Sequence, residues 1–137
     1  MRRILASAAA IGVLLAAGCS VKQAAPVQAK AYVIGLGGIM GQNQMRHAKL
    51  WFAGSNQNWP LAQYEVDELH EGFGDVKSFH PSIKNTATAP LIDEYVERPL
   101  GELDKAVKDK SETEFTAGFD DLSAGCNGCH NEVGFGF

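Results

Sequence analysis

Cysteine is scarce in this chain, β-branched alternation is missing, and no apolar run is long; each shortage excludes a class of protein. Three cysteines in 137 residues cannot staple a small disulfide scaffold. No stretch alternates β-branched and polar residues with period two, so a sheet-built domain is not expected. The longest apolar run, Ile4 to Ala17, has 14 residues, short of the roughly 20 that cross a bilayer. Basic residues are outnumbered, 12 against 16 acidic, which makes nucleic acid and anionic lipid poor partners. Internal repeats and low-complexity tracts are also missing, and the length suits one domain.

What is present begins with a leader. Arg2 and Arg3 precede the alanine-rich apolar run, the pattern of a secretory signal. Leu15-Ala16-Ala17-Gly18-Cys19 resembles a bacterial lipobox, with Ala16 where leucine is usual. Cleavage before Cys19 and acylation of its thiol would anchor the protein to a membrane facing the periplasm. Residues 1–18 are thus expected to be a signal peptide of lipoprotein type. Residues 19–31 read as a tether, because they are small, polar and interrupted by Pro26. Loss of the leader removes two arginines and leaves 10 basic against 16 acidic residues, a net charge of −6. An acidic surface of that kind favours a basic patch on a redox partner protein.

Residues 32–137 carry four stretches of helical periodicity. In the first, Tyr32 to Ala53, one face holds Leu36, Ile39, Met40, Asn43, His47, Leu50 and Trp51. The second opens at Asn58-Trp59-Pro60 and repeats Ala62, Val66, Leu69, Phe73 and Val76. The polar stretch from Lys77 to Pro90 is expected to be a long loop. Leu91 starts the third, with Ile92, Val96, Leu100, Leu103 and Val107 on its face and a kink or break at Pro99. The fourth opens with Ser111 and Glu114 at capping-box spacing, then places Phe115, Phe119, Leu122, Cys126 and Cys129/His130 in steps of three and four. Four such helices with two short connections and one long one predict an all-α fold, an antiparallel four-helix bundle.

Cys126-Asn127-Gly128-Cys129-His130 is a C-x-x-C-H sequence, the attachment pattern of c-type haem. Two thiols must reach the vinyl groups of one porphyrin, and the next imidazole must rise under its iron as proximal ligand. On a helix, residues 126 and 130 share a face and 129 lies beside them, so all three project together. A disulfide between positions 126 and 129 would be strained, and zinc would need further ligands. A thioredoxin-like motif belongs to a strand–helix turn that this sequence does not offer. One covalent haem c per chain is therefore expected, near the end of the last helix.

Only seven residues follow His130, and the last methionine is Met45. A sixth iron ligand must come from upstream, or the position stays open. Four helices with C-x-x-C-H near the end of the last resemble the cytochrome c prime family over about three-quarters of the chain. MGQNQMRHAKLWFAG and NWPLAQYEVDEL are similar to a block found in bacterial c-type cytochromes of this kind. The first helix is shorter than is typical of that family, so its five-coordinate iron does not carry over directly.

Met40 is the candidate sixth ligand, against the alternative of one more core residue. His47 lies on the same face seven residues deeper, where a hydrogen-bonded histidine is the competing reading; Met45 projects elsewhere. Gly35, Gly37, Gly38 and Gly41 crowd the first helix start, through fraying or because a flat porphyrin lies there. Arg46 and Lys49 could meet haem propionates, but solvated positions explain them as well. His70, His80 and the acidic residues of the second and third helices read as surface groups.

No paired carboxylates or distal His/Arg pair argue for catalysis, so a non-enzymatic cytochrome is expected. Electron transfer through His/Met-ligated iron is the leading function. The alternative is a five-coordinate iron that binds nitric oxide or carbon monoxide. Whether the protein works as a monomer or a homodimer is left open by the sequence.

Overall fold

A computed structural model describes residues 32–136. The expected leader, the Cys19 anchor and the tether lie outside the described residues. The described chain is mostly helical, and none of its helices is long and apolar enough to cross a membrane.

Helix α1 (Leu36–Ser55) starts without a side-chain cap; the N–H groups of Gly38 and Ile39 donate to the Gly35 carbonyl at 2.8 and 3.2 Å. Fraying does not explain its glycines, and no protein atom crowds three of them. The helix is formed from Leu36 onward, and a Cβ at Gly35, Gly37 or Gly41 would meet nothing within 4 Å. Gln57 turns the chain with φ 56°. Asn58 then caps α2 (Trp59–Phe79), its side chain accepting from the Leu61 N–H at 3.4 Å. Pro60 sits in the first turn, where its missing N–H costs nothing.

All five residues of the α2 stripe, Ala62 to Val76, are buried. The stretch 77–90 is not the long loop its polarity suggested. Helix α2 runs on to Phe79, and strands β1 (Ser82–Ile83) and β2 (Thr86–Ala87) pair antiparallel. Lys84 and Asn85 form the turn, both at positive φ, 46° and 69°; this left-handed pair is the geometry of a tight two-residue hairpin. Thr88 ties the ends together, its N–H donating to the Pro81 carbonyl and its hydroxyl to that of His80.

Helix α3 (Thr88–Ile92) passes into a π-helical turn (Asp93–Glu97) and then α4 (Arg98–Lys108) without a break. Pro99 has no N–H for the Tyr95 carbonyl four residues before it. The helix absorbs this by widening to π geometry, so the expected kink or break appears as a change of register. Helix α5 (Glu112–Glu132) is capped by Ser111, whose hydroxyl accepts from the Glu114 N–H at 3.4 Å. The Ser111 N–H itself donates to the Ala106 carbonyl, so only half of the capping box forms.

One apolar core joins α1, α2, the π turn, α4 and α5, with Leu50, Val66, Leu100, Leu103, Phe115 and Leu122 buried within it. Helix α5 approaches its neighbours closely through glycine. A Cβ at Gly125 would lie 2.0 Å from the Tyr95 carbonyl oxygen, and one at Gly128 would lie 2.8 Å from the Tyr95 ring. Tyr95 therefore covers the last turns of α5 directly.

Two surface expectations are corrected. Glu65 on α2 is fully buried, where Lys49 and Arg46 of α1 neutralise it; Arg46 also pairs with Glu68. A carboxylate is tolerated inside only with such partners, and these two cations are thereby committed to α2. His80 is half-buried and hydrogen-bonds the Ile34 carbonyl at 2.9 Å, fastening the entry to α1; His70 is exposed, as expected.

Candidate functional site

Cys126, Cys129 and His130 occupy the last turns of α5, each half-buried. The helix ends immediately beyond them in a defined way. Gly134, at φ 68°, turns left-handed; its N–H donates to the Asn131 carbonyl at 3.0 Å, and the Phe135 N–H donates to the His130 carbonyl at 2.9 Å. This is the Schellman pattern, in which a left-handed glycine satisfies the last carbonyls. It folds Phe135 back so that its ring meets the His130 ring edge-on, with centroids 6.1 Å apart. Lys84 reaches across from the hairpin, donates to the Gly134 carbonyl at 3.0 Å and lies 4.0 Å from the centre of the Phe135 ring.

Beside this helix end is a narrow cleft with a cavity volume of about 40 Å³. The wall contains Met40 from α1, Phe73 from α2, Ile83 from the hairpin, Leu91 from α3, and Cys129 and His130 from α5. Met40 and His130 are 90 residues apart in sequence and share one cleft. Cys126 lies a turn deeper and packs against the core rather than on the cleft wall.

Burial pushes both thiols up, Cys126 to about 11 with a smaller push from Cys129. Both are therefore neutral at physiological pH, unlike the low-pKa thiolate of a redox or nucleophilic cysteine. Among the described residues no group of three or more His, Cys, Asp or Glu gathers to hold a metal ion, so the pair lacks the further ligands of a zinc site.

His47 is placed elsewhere. Its ring stacks on Phe119 with centroids 4.2 Å apart, and Nε2 lies 2.9 Å from the Ser123 hydroxyl. Ser123 gives its own proton to the Phe119 carbonyl at 2.8 Å, so His47 Nε2 is the donor. Burial lowers the His47 pKa and keeps the ring neutral. Met45 is exposed.

The chemistry of the residues on the cleft suits a haem, while its volume of about 40 Å³ is far smaller than a porphyrin. Its wall is almost wholly apolar, as a porphyrin face requires, and it offers an imidazole, a thioether and a thiol. Sequence reasoning missed three contributors: Phe135, Lys84 and Tyr95. Gly134, just past the end of a periodic helix, was the available signal for the first. Asn43 was placed on the inward face but given no role; it is buried against Gly72, one turn from Met40, with both amide atoms lacking a hydrogen-bond partner.

Compared with protein-family models, curated proteins and solved structures, the chain matches none. The functional reading rests on its own residues.

Proposed function

We propose that this chain is an exported c-type cytochrome, an antiparallel four-helix bundle similar to cytochrome c prime, and that it transfers electrons. Cys126 and Cys129 bind one haem covalently, and His130 is the proximal iron ligand. Met40 supplies the sixth ligand. The observation that carries this reading is the common cleft of Met40, Cys129 and His130.

When bound, the haem supplies a one-electron iron couple. The chain's part is to hold and shield it. Cys129 and Cys126 would hold the porphyrin to α5, although Cys126 packs against the core in this structure. The Schellman turn and Phe135 limit rotation of the His130 ring, which holds its nitrogen in a constant direction. Phe73, Leu91 and Ile83 on the cleft wall would shield the macrocycle from water. Met40 presents a thioether, a ligand that favours ferrous iron and raises the potential when paired with histidine. His130 and Met40 would hold the iron through a fixed ligand pair, which suits one-electron exchange. The arginine-led apolar run and Cys19 support export to the periplasm with an N-terminal lipid anchor. A redox protein with a basic docking patch is the partner that the acidic charge suits.

The test is the visible spectrum of the reduced protein with and without carbon monoxide. Low-spin bands that carbon monoxide does not alter are expected. A high-spin spectrum that shifts on adding carbon monoxide would replace electron transfer with gas binding at an open iron.

A further inference from the structure

We infer that Lys84, at the tip of the β-hairpin, pairs with a propionate carboxylate of the haem. The inference rests on the reading of Cys126, Cys129 and His130 as the attachment site. Haem carries its two carboxylates on the edge opposite the vinyl groups, and the vinyl edge is the one that thiols on α5 would hold. Among the described residues the cleft wall offers no charged partner: apart from His130 and Thr88 it is apolar. A carboxylate left there unpaired would be strongly disfavoured. It must reach the mouth and meet a cation.

The basic residues named from sequence do not serve. Arg46 and Lys49 are held by Glu65 and Glu68 on α2. Lys77, next to the cleft residue Val76, is held by Asp93 and Glu97 at 2.6 Å each. Lys84 differs. It directly follows the cleft residue Ile83, and its ammonium lies over Phe135, another cleft residue. Among the described residues its partners are a carbonyl and an aromatic ring, both neutral. The backbone at Lys84 is left-handed, φ 46°, which fixes the root of this side chain at the cleft edge. A lysine stem is flexible and its ammonium is a compact charge; a carboxylate gives it a stronger, charge-assisted bond than either neutral partner.

The experiment uses exported holoprotein with ¹³C in the haem propionate carboxyls, read by redox-difference infrared spectroscopy. Lys84→Asn keeps a residue that tolerates the left-handed turn and removes the charge. It is expected to shift the labelled carboxylate band and to lower the midpoint potential, because a cation beside the haem favours the ferrous form. Lys84→Arg should keep both near wild type. Lys110→Gln, in the α4–α5 connection, should move neither. A labelled band identical in wild type and Lys84→Asn overturns the inference and leaves Lys84 as a strap on the C-terminal turn. Wild type exported without covalent haem overturns the attachment reading as well, so the two failures are distinguishable.

Discussion

His47 donates to Ser123 across 2.9 Å, and that contact sets the register between α1 and α5. Trp51 against Phe119, with centroids 4.9 Å apart, keeps the same antiparallel count. Seven residues back along α1 from His47 is Met40; seven forward along α5 from Ser123 is His130. At about 1.5 Å per residue both steps cover about 10 Å. Met40 and His130 therefore stand level, and their shared cleft follows from the register.

This register separates the two candidate sixth ligands. Met40→Ala should convert a low-spin spectrum to high-spin and open the iron to carbon monoxide. His47→Ala should leave the spectrum low-spin and lower stability by about 1 kcal/mol, the usual worth of a hydrogen bond. Absorption spectra and urea unfolding of the two variants measure this. A low-spin Met40→Ala protein would remove Met40 as the ligand.

Stability should depend on pH through His47. Burial depresses its folded pKa below the ordinary value of 6.5, so the unfolded chain binds the proton more readily. The contribution is complete above about 6.5 and is lost as pH falls through the folded value. Urea midpoints at pH 8 and pH 5 should differ more in wild type than in His47→Gln. Equal differences in both proteins would assign the acid sensitivity to other groups.

The glycines divide by what surrounds them. Gly41→Ala fills open space on an exposed helical position and should stabilise by about 0.5–1 kcal/mol. Gly125→Ala drives a methyl into the Tyr95 carbonyl and should destabilise by about 1–3 kcal/mol, the range for overpacking. Thermal melts with opposite signs of shift are expected. A neutral Gly125→Ala would mean that α5 can withdraw from the π turn at no cost.

Helical stripes were legible where burial is continuous. Ala62 to Val76 and Ile92 to Val107 repeat in steps of three and four, and each of those named residues is buried. The α1 stripe was less distinct, because Leu36 and Met40 face the cleft and are only partly covered. The hairpin was missed because two residues per strand are too few to show a period, and its turn puts lysine at a left-handed position. Glu65 could not be recognised as buried from its own helix, since its neutralising cations come from α1. The C-x-x-C-H spacing is local, so it is legible in the sequence alone. The place of Met40 opposite it needed only helix direction and rise.

The N-terminus makes a separate prediction. Mass spectrometry of protein from its native host should find residues 1–18 absent and Cys19 carrying acyl chains. A first residue beyond Cys19 would remove the lipid anchor while leaving the cytochrome account standing.

The central claim is a covalent haem on Cys126 and Cys129, and intact-mass spectrometry of the exported, denatured protein after acid-acetone extraction tests it most directly. The account predicts one haem mass added to the chain, retained through extraction and lost in the Cys126→Ala, Cys129→Ala double variant. A wild-type chain of unmodified mass, with both thiols free to alkylate, would contradict it.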